Sequence, residues 1–357
     1  GGGSIASIDD AGALKVGPHS AGAVPGPVAY GRGGVEPTVT DANVVLHRLS
    51  PDTLLNGKLK VQEQDARVVV EDKIASPLGL GLEEAAMGIL RITNANMGRA
   101  IRSVSTERGH DLSKFALMAF GGAGPLHACD VAAECGIPNV VIPREPGTMC
   151  ARGILLSDIS LDFVRTLLIT AAASNWHAVG KNFAEMREEG AAWLEGEKVA
   201  GNMRRFVQIV EARYEGQNFE VPVSVPSDTE MSFDEFLSEF AKGHRAEYGY
   251  DIPGRAVEIV NCRIKAVGLV PKPHDDFNPT GAGSLEEARI GTRSVLFSSR
   301  TGRVDTPVYA RGRLPLATEF SGPAIVEEMS STTVIPPEAK CHVDRAGNII
   351  ISNMKVL

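Results

Sequence analysis

The chain has 357 residues, 43% hydrophobic and 22% charged, a composition typical of a globular protein with room for two domains. Its net charge of −8 argues against nucleic acid or an anionic membrane as a partner, since both attract a basic surface. No apolar run reaches the roughly 20 residues of a transmembrane helix, and the five cysteines form no CxxC pair. We therefore expect a cytoplasmic protein without a disulfide framework or a metal site.

The first 34 residues are dense in glycine. GGGS precedes a predicted strand, SIASID, and ALKVG predicts its hairpin partner across a turn at Asp9–Gly12. Consecutive glycine N–H groups can surround a phosphate, because no Cβ blocks its approach. Glycine runs are more often flexible linkers, so this run alone is a weak signal for a phosphate site.

A long loop follows from Gly17 to Gly34, and its polar members include Ser20, Tyr30 and Arg32. Its length and its glycine–proline frame are typical of a functional loop, although a structural cover over a sheet edge would look similar. In the segment TVTDANVVLHRL, Thr40 or Asp41 is predicted to cap a short helix. Asp41 could instead bind a cation or act as a base.

The segment FALMAFGGAGPLHACDVAAECGIPNVVIP predicts a βαβ unit with strands at 115–120 and 139–142 and a helix at 126–135. Its turn, Gly121–Gly124, joins a buried strand to the N-terminus of a helix. Phosphates and nucleotides bind well at such a turn, but glycine there also permits close packing of helix on sheet. The spacing alone leaves the two interpretations about equal.

Helices are also predicted at 83–107, 147–158 and 180–199, and a composition shift near 170–180 indicates a domain boundary. Beyond it we expect two strands around Gly216, a helix opened by a capping box of Ser232 and Glu235, and a strand at 256–270. A loop at 271–284 then leads to short strands suited to a small β-rich subdomain.

Isolated reactive side chains give weaker signals. His127, Cys129 and Asp130 lie close together in the sequence, but only His127 and Asp130 share a helix face, so a structural role is favoured over metal binding. Cys150 has no neighbouring base and is expected to be a small buried hydrophobic residue. These patterns identify no catalytic residue.

Several longer motifs resemble the hydantoinase A/oxoprolinase family, which includes ATP-dependent N-methylhydantoinases, 5-oxoprolinases and the acetone carboxylase β subunit. They occur in the family's order from residue 1 to about residue 352: GGGSIASID, VGPHSAGAVPGPVAYGRGG, PTVTDA, FALMAFGGAGPLHA, RYEGQ, EYGY and GPAIVEE. Two departures are His47, where the family commonly has glycine, and Cys150, where serine is usual.

The resemblance implies an α/β fold in which part of an actin-like (ribonuclease-H-like) ATPase domain at 1–170 precedes a smaller, β-rich α+β domain at 171–357. It implies that Gly1, Gly2, Gly3 and Ser4 form a phosphate loop and that Gly121, Gly122, Ala123 and Gly124 form an adenosine loop. Ser20, Tyr30, Arg32 and Asp41 are expected on a wall that faces substrate or partner.

By the same resemblance, the intact protein uses ATP and Mg²⁺ to phosphorylate the carbonyl oxygen of a cyclic amide, which is then hydrolysed with a hydantoinase B-type partner subunit or domain. A ketone carboxylase subunit and a non-catalytic nucleotide-binding module are the alternatives. Family members carry a further N-terminal half with the first phosphate loop, so we expect this chain to correspond to the C-terminal portion and to hydrolyse little ATP alone.

Overall fold

The computed structural model describes residues 2–226, 231–272, 283–300 and 302–355. Each helix predicted from the sequence is present, and three further helices, at 63–70, 76–78 and 285–288, were not predicted. In the described residues the helices are α1 Val39–Val45, α2 Glu63–Val70, α3 Ser76–Leu78, α4 Leu82–Val104, α5 Gly124–Cys135, α6 Met149–Leu156, α7 Trp176–Gly196, α8 Phe233–Tyr248 and α9 Leu285–Ala288.

The described strands in the first part of the chain are β1 Ser4–Ile8, β2 Leu14–Ser20, β3 Thr53–Leu54, β4 Leu59–Lys60, β5 Ala116–Met118, β6 Asn139–Ile142, β7 Ile159–Thr170 and β8 Arg204–Tyr214. Those that follow are β9 Val221–Val225, β10 Val257–Gly268, β11 Arg289–Ser298, β12 Gly302–Ala310, β13 Glu319–Ser321, β14 Ala324–Glu328, β15 Ser331–Ile335, β16 Lys340–Val343 and β17 Ile349–Ser352. The N-terminal hairpin, the βαβ unit and the strands around Gly216 are thereby confirmed.

The chain forms two compact units. Unit 1 consists of Gly1–Arg152 and Asp275–Leu357, and unit 2 consists of Gly153–His274. The end of the chain therefore belongs to the same compact unit as its beginning. The expected division into domains at 1–170 and 171–357 stays a prediction.

In unit 1, helix α5 lies between two sheets. Parallel strands β5 and β6 extend into a sheet of order β13-β16-β17-β6-β5, so strands from the end of the chain complete it. The second sheet has the order β11-β12-β14-β15. From α5, Ala132 packs with Val140 and Ile351 of the first sheet, while Leu126 packs with Ile325 and Val334 of the second. This packing places the N-terminus of α5 beside the β14–β15 hairpin.

The β1–β2 hairpin of unit 1 rests on a helical layer. Ala6 and Val16 of the hairpin pack with Val39, Val70 and Ile89 from α1, α2 and α4. A two-stranded hairpin is marginally stable by itself, so this layer stabilises the glycine run that leads into β1. The long amphipathic helix expected at 83–107 is confirmed as α4.

Unit 2 is an antiparallel sheet of order β7-β10-β8-β9, with α7 and α8 packed on one face. The capping box of Ser232 and Glu235 is confirmed at the start of α8. His244 of α8 is fully buried, and its ring nitrogens hydrogen-bond to the Tyr250 carbonyl and the Gln217 side chain. It is therefore part of the core.

Three local predictions are wrong. The strand before Gly121–Gly124 was expected to be buried, but Ala116 and Met118 of β5 are exposed, because β5 is the edge strand of its sheet. Thr38, and not Thr40 or Asp41, caps α1, and Asp41 is the third helical residue and completes a capping box with Thr38. Cys150 is exposed, because none of the residues of α6 is buried. The loop expected at 271–284 lies mostly outside the described residues. Across the described part of the chain, no helix combines the length and the apolar character that membrane spanning requires.

His47, which replaces the family's common glycine, has a φ of 57°. This is the left-handed region, where glycine has no steric penalty and other residues do. The imidazole Nε2 lies 2.9 Å from Glu63 Oε1, a contact that offsets part of the backbone cost. The family preference for glycine at this position therefore has a backbone explanation.

Candidate functional site

The glycine run at the N-terminus is held against two other segments. The Gly2 carbonyl accepts a hydrogen bond from the Thr40 N–H at 2.9 Å, and the Gly3 carbonyl accepts one from the Ala21 N–H at 2.8 Å. A Cβ on Gly2 would lie 2.5 Å from Thr40 Oγ1, and one on Gly3 would lie 3.0 Å from Ser20 Oγ. Glycine is required here because the backbone passes this close to its neighbours. Gly1 lies outside the described residues.

The second glycine turn leads from β5 into the N-terminus of α5. Gly121 has a φ of 85°, and its N–H donates to the Pro146 carbonyl at 2.8 Å. The residue before the helix, Ala123, offers no side chain to cap the first turn. Pro125 in the first turn has no N–H, and the Leu126 N–H donates to the Ala123 carbonyl at 3.2 Å. The turn therefore offers a ligand the positive end of the helix dipole and the backbone donors that precede Pro125.

Both turns line one cleft of about 340 Å³ in unit 1, which we call the glycine cleft. Of the residues expected at the site, it brings together Gly2, Gly3, Tyr30, Arg32, Gly122 and Ala123. Ser4, Ser20, Asp41, Gly121 and Gly124 are not among its lining residues. The other lining residues are Gly22, Pro27, Thr40, Asn43, Leu49, Leu54, Leu55, Leu59, Leu126, Glu328, Met329, Ser330, Ser331 and Thr332.

Asp41 supports the long loop from behind the cleft. Its fully buried carboxylate accepts hydrogen bonds from the Ala29 N–H at 2.7 Å, the Thr38 N–H at 2.8 Å and the Thr38 hydroxyl at 2.7 Å. Burial raises the pKa of Asp41, and the hydrogen bonds from Thr38 and Ala29 counteract part of that rise. Asp41 thus fixes the segment that carries Tyr30 and Arg32.

Ser20 also has a local role. It pairs with Ser4 across the hairpin, and its hydroxyl accepts a hydrogen bond from the Gly22 N–H at 3.1 Å. Arg32, in contrast, is exposed at the cleft, and none of the described residues forms an ion pair with it. Its guanidinium is therefore available to an anionic ligand.

The β14–β15 turn forms a wall of the glycine cleft that sequence analysis did not identify. It packs directly on the adenosine-loop candidate, since a Cβ on Gly122 would lie 3.2 Å from the Ser330 carbonyl oxygen. A Cβ on Gly147 would lie 2.0 Å from Ser330 Oγ. In the sequence, the segment MSSTT after strand β14 could have indicated this turn. It does not indicate which other loops the turn contacts in the fold.

Two residues that line the glycine cleft, Asn43 of α1 and Ser331 of β15, each have a buried polar atom without a partner among the described residues. Asn43 donates to the Val39 carbonyl at 2.9 Å, yet its buried Oδ1 is unpaired. The hydroxyl of Ser331 is also buried and unpaired. Leaving a buried polar atom without a hydrogen bond costs about 1–3 kcal/mol. Such atoms in a cleft indicate a place for a ligand or water.

Glu328 is the one carboxylate that lines the glycine cleft within the described part of the chain. The pKa of Glu328 is raised to about 7, mainly by burial. The charge of Arg311 lowers this pKa, and the charge of Glu145 raises it. The Arg311 guanidinium instead donates to the Gly347 carbonyl at 2.6 Å. A carboxyl group with such a pKa changes its charge near neutral pH.

His127 and Asp130 belong to a buried structural cluster, which we call the Arg48 network (Arg48, Asn94, His127 and Asp130). Arg48 donates to Asp130 at 2.6 Å, and His127 Nδ1 lies 2.8 Å from Asn94 Oδ1. Burial lowers the pKa of His127 to about 4. The described residues contain no group of three or more His, Cys, Asp or Glu side chains that could hold a metal ion.

The chain matches two family models in succession. Residues 1–163 match the hydantoinase/oxoprolinase model, and residues 170–350 match the hydantoinase/oxoprolinase C-terminal domain. Together the two matches cover nearly the whole chain. The chain therefore belongs to the hydantoinase/oxoprolinase family.

Two curated relatives and one solved structure show where this chain stands within the family. It is 37% identical to caprolactamase subunit alpha of Pseudomonas jessenii over 96% of this chain and 50% of that protein. It is 32% identical to the acetophenone carboxylase gamma subunit of Aromatoleum aromaticum over 98% of this chain and 50% of that protein. The crystal structure of the ATP-dependent caprolactamase from Pseudomonas jessenii superposes with a TM-score of 0.81 at 36% identity, over 99% of this chain and 52% of that one.

These similarities confirm the expected fold class, an actin-like ATPase-type α/β fold with a C-terminal domain. The chain spans about half the length of the curated relatives it matches.

Proposed function

We propose that this chain contributes the ATP-binding cleft of an ATP-dependent hydrolase of cyclic amides, of the hydantoin, N-methylhydantoin or 5-oxoproline type. One observation carries the proposal: both glycine turns, which lie about 120 residues apart in the sequence, line the same cleft in unit 1. The volume of about 340 Å³ is within the range of small-ligand sites. A relative described as an ATP-dependent caprolactamase supports the reaction class.

In this proposal the turn at Gly1–Ser4 holds the phosphates, with Gly2 and Gly3 as the cleft-lining members. The turn at Gly121–Gly124 and the N-terminus of α5 hold the adenosine side. Arg32 offers a charge to the γ-phosphate or to an anionic substrate. Mg²⁺ would enter with the ATP phosphates and neutralise their charge.

The chemistry addresses the low reactivity of amides, whose nitrogen lone pair is delocalised onto the carbonyl. Transfer of the γ-phosphoryl group forms a bond from phosphorus to the carbonyl oxygen, breaks the bond to the β–γ bridging oxygen and releases ADP. Water then adds to the activated carbon, and the ring C–N bond breaks as the nitrogen takes a proton, which leaves an acyl phosphate. A second water hydrolyses the acyl phosphate to the open-chain carboxylate and releases phosphate. The chain's contribution is to hold the γ-phosphate in line with the carbonyl oxygen.

A ketone carboxylase subunit is the second candidate, because the chain is 32% identical to an acetophenone carboxylase subunit over nearly all its length. Phosphoryl transfer would then go to a ketone enol oxygen. The caprolactamase and acetophenone carboxylase relatives are both described as subunits. This supports assembly with a B-type partner that completes the reaction.

Calorimetric titration of the chain with Mg·ATP tests the nucleotide site. We expect binding by the wild type and its loss in Gly3→Val, whose side chain would fill the space beside Ser20 and Gly22. Gly291→Val is the matched control, since a Cβ at that exposed strand residue meets nothing within 4 Å. Equal ATP affinity in all three proteins would refute the site, as would no binding by the wild type.

The two reactions are separated by measuring ADP release from the protein assembled with its partner subunit. Stimulation by hydantoin or 5-oxoproline supports the amide hydrolase. Stimulation only by a ketone with bicarbonate supports the carboxylase. We expect little ADP release from this chain alone.

A further inference from the structure

Glu328 has an unusual position for a carboxylate. It is partly buried at the end of β14 and lines the glycine cleft, yet no described residue donates a hydrogen bond to its side chain. Arg311 and Glu145 act on it only through their charge. A desolvated carboxylate without donors is costly, so the fold alone does not account for Glu328.

The neighbouring Glu327 provides an internal comparison. Its side chain points to the other face of β14, where it forms an ion pair with Arg293 at 2.6 Å, and it does not line the cleft. Two consecutive glutamates therefore have opposite environments. One is paired within the fold, and the other faces the cleft with its acceptors unused.

A second unpaired group lies at the other end of the same turn. Ser331 is only 6% exposed, it lines the cleft, and its hydroxyl has no partner within the described residues. A serine hydroxyl can donate one hydrogen bond and accept others, whereas a carboxylate can only accept. Together they offer acceptors and one donor to a ligand group that carries more than one hydroxyl.

The turn also lies at the nucleoside side of the proposed site. Ser330 packs on Gly122 of the adenosine-loop candidate, while the phosphate-loop candidate, Gly2 and Gly3, is held by Thr40 and Ala21. A carboxylate at the phosphate side would repel the ligand, whereas carboxylates bind the ribose hydroxyls of nucleotides in other α/β folds.

We propose that Glu328 and Ser331 bind the vicinal hydroxyls of the ribose, and that the β14–β15 turn is therefore the ribose-recognition element of the glycine cleft. The inference rests on the proposed ATP site. It makes the cleft selective for ribonucleotides over deoxyribonucleotides. In this proposal the carboxylate accepts from both hydroxyls, and Ser331 donates to the 2′-hydroxyl.

The test is calorimetric titration of the full chain with Mg·ATP and with Mg·2′-deoxy-ATP. We expect the wild type to bind ATP about tenfold more tightly, the effect of losing one hydrogen bond to a charged group. In Glu328→Gln the preference should fall below about threefold, because the charge is lost and only one acceptor remains. Glu327→Gln is the matched control and should retain the full preference.

Ser331→Ala provides a second readout that does not depend on the fold tolerating a change at Glu328. It should reduce the preference for ATP about threefold, by removal of a single neutral hydrogen bond. Equal affinity of the wild type for ATP and 2′-deoxy-ATP would overturn the ribose assignment and leave the ATP site standing. A full preference in both Glu328→Gln and Ser331→Ala would do the same. Failure of the wild type to bind either nucleotide would instead overturn the ATP site, and the ribose assignment with it.

Discussion

The lining of the glycine cleft and the Arg48 network both lie in unit 1. They differ in whether their buried polar atoms have hydrogen-bond partners. In the Arg48 network, Arg48 is 1% exposed and donates to Asp130 and to the Phe297 carbonyl, and the His127 ring is paired with Asn94. In the cleft, the Asn43 Oδ1 and the Ser331 hydroxyl have no partner among the described residues.

This difference separates polar residues that are fully paired within the fold from polar residues with unused hydrogen-bonding atoms, which residue type alone does not do. His127 and Asp130 are reactive residue types in one helix, yet their partners show that they link α5 to Asn94 of α4 and to Arg48, which follows α1. Ser and Asn suggest nothing by themselves, yet their unused hydrogen-bonding atoms indicate a place for a ligand or water. The two regions are distinguished by whether their buried polar atoms are hydrogen-bonded, and not by the reactivity of their side chains.

The largest expected effect on the unfolding free energy of the protein comes from a substitution in the Arg48 network. Arg48→Met removes the buried cation and leaves Asp130 and two carbonyls without their main donor, so we expect a loss of about 3 kcal/mol in unfolding free energy. Urea denaturation measures it, with the exposed Arg99→Met as the control. A loss below about 1 kcal/mol would show that the network is not structural. ATP affinity of the folded variant should be unchanged.

Substitution of Glu328 is expected to have a smaller effect on the unfolding free energy, and to increase it. Its pKa is raised from 4.5 to about 7, so between these values the folded protein binds more protons than the unfolded chain, and its stability falls as pH rises. Glu328→Gln removes this loss and should raise the unfolding free energy at pH 8 by about 2 kcal/mol.

Urea denaturation at pH 4.5 and pH 8 measures the difference. The gain should be nearly absent at the lower pH, where wild-type Glu328 is protonated. Glu327→Gln is the control and should show no such gain at pH 8, because it removes an ion pair with Arg293. A variant that is destabilised at pH 8 would show that Glu328 has a stabilising partner within the fold.

The smallest expected effect on the unfolding free energy comes from a substitution of Asp41. Like the Arg48 network, its carboxylate is fully hydrogen-bonded within the fold, although it lies beside the cleft. Asp41→Asn places an amide against one of the N–H or hydroxyl donors of Thr38 and Ala29, which we expect to cost about 1–2 kcal/mol in unfolding free energy. Thermal denaturation measures it, with Asp10→Asn at the exposed hairpin turn as the control. A neutral effect would mean that Asp41 does not hold the long loop.

Local features of the fold were predictable from sequence. The β5–α5–β6 unit follows from two apolar runs around GGAGP, and the α8 capping box follows from the spacing of Ser232 and Glu235. Both depend on residues close in the chain. The exposure of Cys150 was not predictable, because α6 is apolar in composition but has no buried residue.

Long-range pairings were beyond single-sequence reasoning. β6 pairs with β17 about 200 residues later, and the β14–β15 turn reaches Gly122 across a similar separation. The lining of the glycine cleft was therefore predicted only in part: the glycine turns and Arg32 were singled out from their local patterns and the family resemblance. Glu328 and Ser331 were missed because they join the cleft only when distant segments meet.

A crystal structure of the chain with a non-hydrolysable ATP analogue tests the central claim most directly. The account predicts phosphate oxygens at the N–H groups of Gly2 and Gly3, and the nucleoside between Gly122 and the β14–β15 turn, with ribose hydroxyls at Glu328. A nucleotide bound outside the glycine cleft, or inside it with the two ends exchanged, would contradict the account.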